Sequence, residues 1–252
     1  MIDVQELVKP VFVKGNTIGL LLIHGFTASP GDMKPIAKIL AEYGYSIYIP
    51  LLSGHGHSAE DMAKTEWKDW VSDVEKGVDY LRESCSKVIA VGHSMGGLLS
   101  LHLASAGKID AVVTINAPFV YQNQEIRFVK RLAGKNEYIE KLGRTEEIIV
   151  DRGGIPHYSF TKVPVCCLVS LNKAITTVLN ELRRITCPVL VIQSLMDKTV
   201  NPRSGRMIEK SIKRGKVEII YWEKADHYLP LGPEKHKVAE KINDFLIKYR
   251  EL

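Results

Sequence analysis

The chain predicts an α/β fold: a mostly parallel central sheet flanked by helices, with a small inserted cap. Three observations predict it. First, short runs such as Ile18-Gly19-Leu20-Leu21-Leu22-Ile23 and Pro188-Val189-Leu190-Val191-Ile192 are apolar throughout. Strands buried on both faces read this way, and both faces are then covered by helices. Second, strand, helix and strand patterns alternate several times, which argues for parallel pairing through right-handed crossovers. Third, the rhythm breaks between Val120 and Thr161, where charge and amide side chains dominate. That stretch is too long for a plain connection and too helical for a loop, so it reads as an insertion at the carboxyl ends of the strands.

The elements follow in order. Residues 10–22 read as two strands joined at Gly15-Asn16, the second continuing into Ile23. His24-Gly25-Phe26-Thr27-Ala28-Ser29-Pro30 ends it. A helix follows with Met33, Ile36, Ala37 and Leu40 on one face; Ser29 or Asp32 caps it and Gly44 stops it. Residues 45–49 form the next strand and 50–58 a loop. A long helix then runs from Thr65, its cap, to about Ser84, with Trp67, Trp70, Val71, Val74, Val78 and Leu81 on one stripe. Both tryptophans read as core anchors. Lys87-Val88-Ile89-Ala90-Val91 is a strand, and residues 111–115 are another, running into Asn116-Ala117-Pro118-Phe119. Inside the insertion, helical patterns occur at 125–132 and 138–149, with a turn at Gly153-Gly154-Ile155-Pro156. Helix resumes over 165–184. Strand 188–193, helix 202–212, strand 217–222 and an amphipathic helix over 234–246 complete the chain. The expected organisation is one domain, with a core of 1–119 and 162–252 and a cap of 120–161.

Composition bounds what such a domain does. At 252 residues, 45% hydrophobic and 25% charged, the chain supports one large core. Its net charge of +5 is spread without a lysine or arginine block, which argues against nucleic acid as a partner. Cys85, Cys166, Cys167 and Cys187 form no C-x-x-C pair and read as buried hydrophobes or free thiols in a reducing compartment. Met1–Glu6 carries early acids and no apolar core, and no apolar run approaches the roughly 20 residues of a membrane span. A cytoplasmic location without stable membrane insertion is expected. No cofactor is expected either, since Gly92–Gly97 is not a G-x-G-x-x-G run. His55 and His57 lack a third ligand nearby, so no metal is expected.

The chemistry centres on Gly92-His93-Ser94-Met95-Gly96, which lies between a strand and a Pro-free run that can be helix. A serine at the tip of so tight a turn takes a strained backbone, and its neighbours two residues away need to lack side chains. Its hydroxyl is thrust clear of the sheet. The Met95 amide points at the same space, at the positive end of the helix. Acyl transfer needs a hydroxyl that loses its proton, a base to take it, an acid to orient the base, and two amides for the oxyanion. In an open α/β sheet such groups gather at the carboxyl ends of strands. Ser94 is at one such end, Asp197 follows strand 188–193, and His227 follows strand 217–222.

Four segments carry a family resemblance: Leu22-Ile23-His24-Gly25-Phe26-Thr27, Leu52-Ser53-Gly54-His55-Gly56, Gly92-His93-Ser94-Met95-Gly96-Gly97, and Asp197 to Asn201-Pro202 with His227. With them the chain resembles the α/β-hydrolase superfamily, and more narrowly bacterial carboxylesterases and monoacylglycerol lipases, from near Pro10 to the last helix. The resemblance implies the α/β-hydrolase fold. It also implies Ser94 as nucleophile, His227 as base and Asp197 as the orienting acid, with the amides of Phe26 and Met95 as the oxyanion hole.

Other residues compete for these roles. Asp226 abuts His227, and a neighbour in sequence points elsewhere, so Asp197 is preferred. His93 reads as a packed residue beside the site, His24 as a brace for the oxyanion loop, and His102 as structural. The expected activity is serine carboxyl-ester hydrolysis through an acyl-enzyme on small-to-medium acyl esters, monoacylglycerols among them. A thioesterase, amidase or acyltransferase uses the same triad. A non-catalytic ligand-binding homologue is the remaining reading, although such proteins usually lose a triad member. The expected partner is a small-molecule ester, with the chain a monomer or homodimer.

Overall fold

Strand side chains alternate between two faces, so a strand that is apolar at consecutive positions needs cover on both. The structure, a computed structural model, describes residues 3–132, 137–141, 148–149 and 155–249. In it Leu21 and Ile23 pack on one face of the sheet while Leu20 and Leu22 pack on the other. Val88 and Ala90 part from Ile89 and Val91 in the same way.

A short helix α1 (Val4–Val8) precedes the sheet, an element the sequence pattern did not announce. Strand β1 (Val11–Val13) and strand β2 (Ile18–Ile23) follow. They do not pair with each other. β3 (Ser46–Ile49) lies between them, antiparallel to β1 and parallel to β2. Helix α2 (Lys34–Glu42) connects β2 to β3 after a 3-10 turn at Pro30–Asp32. Neither expected cap serves α2: its N-cap position is Met33, with no side-chain bond, and Pro35 in its first turn needs no N–H acceptor. Gly44 ends it at φ +89°.

α3 (Ala59–Met62) and α4 (Trp67–Arg82) cross back to β4 (Lys87–His93). The cap of α4 is Glu66, in a reciprocal box with Asp69, rather than Thr65. Thr65 Oγ1 instead donates to the Met62 carbonyl and accepts from Trp70 Nε1. Helix α5 (Met95–Ser105) and strand β5 (Ala111–Ile115) come next.

The segment that follows is not the pair of helices expected. Residues 124–132 are helical, as a 3-10 turn (Gln124–Phe128) running into α6 (Val129–Leu132). The pattern at 138–149 is not helix where it is described. β6 (Tyr138–Glu140) and β7 (Ile148–Ile149) are short strands, antiparallel to β9 (Lys162–Pro164) and β8 (His157–Tyr158) respectively. Backbone pairing with the returning chain replaces the helix. Residues 142–147, and Gly153-Gly154 of the expected turn, lie outside the described residues.

α7 (Val165–Glu181) and a 3-10 turn at Leu182–Arg184 lead to β10 (Val189–Ser194). The stretch Val165–Arg184 is 20 residues long with a mean hydropathy of 1.2, long and apolar enough by composition to cross a membrane. Here its inner face, Cys167, Leu171, Val178 and Leu182, joins the core under α4 and α5. Helix α8 (Arg203–Ser211), strand β11 (Val217–Trp222) and helix α9 (Lys235–Lys248) finish the chain.

The central sheet has seven strands in the order β1-β3-β2-β4-β5-β10-β11, parallel throughout except for β1. α4, α5, α7 and α8 cover one face, α2 and α9 the other.

The turn between β4 and α5 depends on missing side chains. A Cβ on Gly92 would stand 2.0 Å from the Gly96 carbonyl oxygen, and one on Gly96 would stand 2.2 Å from that of Ile23. Gly96→Ala is therefore expected to destabilise the protein by more than about 3 kcal/mol or to prevent folding. Gly107, at φ +70° with open space around it, is the control: Gly107→Asn is expected to cost less than about 1 kcal/mol. Urea midpoints measure both.

Candidate active site

Ser94 sits on that turn with φ +53° and ψ −120°, a strained conformation for a residue with a side chain. Its N–H donates to the Ile115 carbonyl at 2.9 Å and its carbonyl accepts from Gly97 N at 2.8 Å, so the tip is anchored on both sides. Met95 opens α5, which leaves its N–H without an acceptor inside the helix.

The loop after β2 reaches the same place because β2 and β4 are neighbours in the sheet. A Cβ on Gly25 would lie 3.3 Å from Ser94 Cβ, so the loop backbone rests directly against the serine. Ala28 N donates to the Gly25 carbonyl at 3.3 Å, closing a turn over Phe26 and Thr27. His24 braces it. Its Nε2 accepts from Leu52 N at 3.2 Å, so Nδ1 carries the proton and donates to the Gly25 carbonyl at 3.0 Å. Burial, reinforced by the neighbouring His55, pushes the His24 pKa down to about 3. His55 is itself pushed down to about 4 by burial, and its ring packs between His24, Phe26 and Trp70. His57 is exposed, so the two histidines of that loop do not face a common point.

Asp197 and His227 meet at the ends of β10 and β11. His227 Nδ1 donates to Asp197 Oδ2 at 2.7 Å, and both side chains are buried. The other oxygen, Oδ1, accepts from the amides of Thr199 at 2.7 Å and Val200 at 2.8 Å. The carboxylate is thereby held on two sides. A carboxylate can only accept, so Nδ1 carries a proton, and in the neutral imidazole Nε2 keeps a lone pair. Asp226, by contrast, turns back to accept from Tyr228 N at 3.0 Å.

The imidazole is tied to the serine turn through backbone. His93, the residue before Ser94, donates from Nε2 to the His227 carbonyl at 2.8 Å, and the two rings lie 4.9 Å apart. Asn116 donates to the same carbonyl at 2.9 Å. His102, further along α5, pairs with Glu181 at 2.8 Å, away from this cluster.

Asn116 has a role here that the sequence does not announce. It stands at the end of β5 with φ +52°, a conformation asparagine tolerates better than most residues. Its side-chain oxygen accepts from Ser194 N at 2.7 Å and Gln193 Nε2 at 3.1 Å. One side chain thus joins the end of β10 to the loop of His227. Gln122 adds a second tie, donating to the Asp197 carbonyl at 2.8 Å. A lone asparagine before Ala-Pro carries little signal in a sequence; its partners come from β10 and from the loop after β11.

Known proteins resemble the chain over most of its length. A family described as serine aminopeptidase, S33, matches residues 18–234. A thermostable monoacylglycerol lipase of Bacillus sp. (strain H-257) is 30% identical over 245 residues, 96% of this chain and 95% of that one. A carboxylesterase of Bacillus subtilis (strain 168) is 29% identical over 241 residues, 95% of this chain and 96% of that one. A solved structure of the metagenome-derived lipolytic enzymes LipS and LipT superposes with a TM-score of 0.87 at 27% identity, covering 96% of this chain and 98% of that one.

The buried histidines give the fold a defined acid limit. In the unfolded chain both titrate near 6.5; folded, His24 and His55 stay neutral down to about 3 and about 4. Between those values the unfolded state binds more protons, so stability is full above pH 6.5 and falls as pH drops. Each group contributes a loss of up to about 1.4 kcal/mol per pH unit in that window. Thermal melting from pH 7.5 to 4.5 is expected to show this slope, and His24→Asn, which keeps a donor near Nδ1 but does not titrate, is expected to flatten it.

Proposed function

We propose that this chain, which belongs to the serine aminopeptidase S33 family and has the α/β-hydrolase fold, hydrolyses carboxylic esters through an acyl-enzyme on Ser94. The observation that carries the proposal is the 2.7 Å bond from His227 Nδ1 to Asp197 Oδ2. It leaves Nε2 as an acceptor, on a residue whose carbonyl is bonded to the neighbour of Ser94.

In this reading Ser94 Oγ attacks the ester carbonyl carbon while His227 Nε2 takes the hydroxyl proton. Asp197 holds the ring and stabilises the imidazolium. The carbonyl oxygen becomes an oxyanion and is received by the N–H groups of Phe26 and Met95, the latter at the positive end of α5. Collapse expels the alcohol, which takes its proton from His227. Water then repeats the sequence on the acyl-enzyme and frees the acid.

The substrates proposed are small-to-medium acyl esters, monoacylglycerols among them. The relatives at 30% and 29% identity, named for a monoacylglycerol lipase and a carboxylesterase, support this class. Residues 120–161 are proposed as the cap of the acyl site. Tyr158 donates to the His57 carbonyl at 2.8 Å, and the Phe160 and His55 rings lie 6.5 Å apart, which supports that placement. A cytoplasmic setting is part of the proposal, supported by four unpaired cysteines. So are a monomeric or homodimeric state, and chemistry that runs without a metal or cofactor.

The family description names an aminopeptidase, so amide hydrolysis is the second reading. Turnover of matched butyryl ester, thioester and amide substrates separates the two. Ester turnover is expected to exceed amide turnover, and the reverse order would favour the amidase. Ser94→Ala is expected to lower kcat on p-nitrophenyl butyrate by a factor on the order of 10⁴ to 10⁶ with the melting temperature retained. A kcat within tenfold of the parent contradicts the nucleophile.

A further inference from the structure

Thr27 occupies a position that turns ordinarily give to glycine or asparagine. It is the third residue of the turn closed by Ala28 N and the Gly25 carbonyl, and its φ is +60°. A β-branched side chain is an outlier there, because its Cβ crowds the following carbonyl. Such a conformation persists only where the surroundings hold it.

The holding groups come from the inserted segment. Lys141 Nζ donates to Thr27 Oγ1 at 2.6 Å and to Ser159 Oγ at 2.8 Å. The two hydroxyl oxygens are themselves 3.4 Å apart. Thr27 and Ser159 are buried, 3% and 6% exposed, while Lys141 is half-buried, so the accepting ends of these bonds are shielded from water. The backbone of Lys141 is fixed in turn: its N–H donates to the Thr161 carbonyl at 2.8 Å, continuing the β6–β9 ladder. Charge-assisted bonds of this kind are the stronger class, and they gain from burial.

We infer that Lys141 is a positioning residue for the oxyanion site. Its ammonium clamps Thr27 in the left-handed conformation and so fixes the turn that presents the Phe26 amide. The inference rests on the proposed role of Phe26 in ester hydrolysis. It makes the inserted segment a part of the oxyanion site as well as its cover: if Lys141 withdraws, Thr27 is free to leave its strained conformation, and the amide loses its aim.

A kinetic double-mutant cycle tests this on the full chain with p-nitrophenyl butyrate. Glycine adopts φ +60° without a clamp, so Thr27→Gly removes the need for one. Lys141→Met is expected to lower kcat about tenfold with KM within twofold, because the interaction lost is one made to the transition state. Lys141→Arg, which keeps a donor and the charge, is expected to restore most of kcat. In the Thr27→Gly background the same Lys141→Met change is expected to cost less than twofold. An equal loss in both backgrounds overturns the clamp, since Lys141 would then act on substrate or on folding directly. A parental kcat in Lys141→Met also overturns it. Labelling of Ser94 by a fluorophosphonate runs alongside. A labelled parent with an unaffected Lys141→Met kcat defeats the clamp alone, whereas an unlabelled parent defeats the esterase reading and the clamp with it.

Discussion

The serine turn exists because strips of backbone meet there with no side chain between them. Gly92 and Gly96 face each other across the turn, Gly96 abuts the carbonyl of Ile23, and Gly25 rests on Ser94. None of these three has a positive φ among the described glycines; what each supplies is space. The strain is borne by Ser94 itself. From this contact much of the site follows. The end of β2 lies against the elbow, and the loop that begins at His24 meets Ser94 at Gly25.

The remaining groups come from the far half of the sheet, and a different device aligns them. β10 and β11 end beyond β5, and it is Asn116 at the end of β5 that links them back. The carbonyl of His227 receives two donors, from His93 and Asn116, while its ring is aimed by Asp197. Backbone position and ring direction are therefore set by separate bonds. Asp197 is immobilised by two amides of its own loop. Groups held this way move little, which is the condition for strong electrostatic stabilisation in the reaction proposed.

Much of the fold could be read from the residues, as could the pairing of Asp197 with His227, and the misses have physical causes. Strand periodicity located the buried strands because both of their faces are apolar, and the Gly-x-Ser-x-Gly spacing located the turn because its cause is local. β1 shows the limit. Nothing in Val11–Val13 says that it skips its neighbour in sequence and pairs with β3, since partner choice is decided by the whole sheet. The pattern at 138–149 resembled helix, but its described parts gain more from pairing with β8 and β9. Helix caps shifted by a residue or two, as with Glu66 in place of Thr65, because several neighbouring side chains can serve. Asn116 and Lys141 were invisible for a deeper reason: their roles are defined only by partners that folding brings to them.

In the reaction proposed, the hydroxyl on the strained turn and the two backbone amides beside it converge on one reacting carbon. The most direct measurement is a crystal structure of the protein inactivated by a p-nitrophenyl alkylphosphonate, whose phosphorus mimics the tetrahedral carbon. Phosphorus is expected to be bonded to Ser94 Oγ, with the phosphoryl oxygen about 2.7 to 3.1 Å from the nitrogens of both Phe26 and Met95. Phosphorus on any other residue, or a phosphoryl oxygen turned away from those two amides, would contradict it.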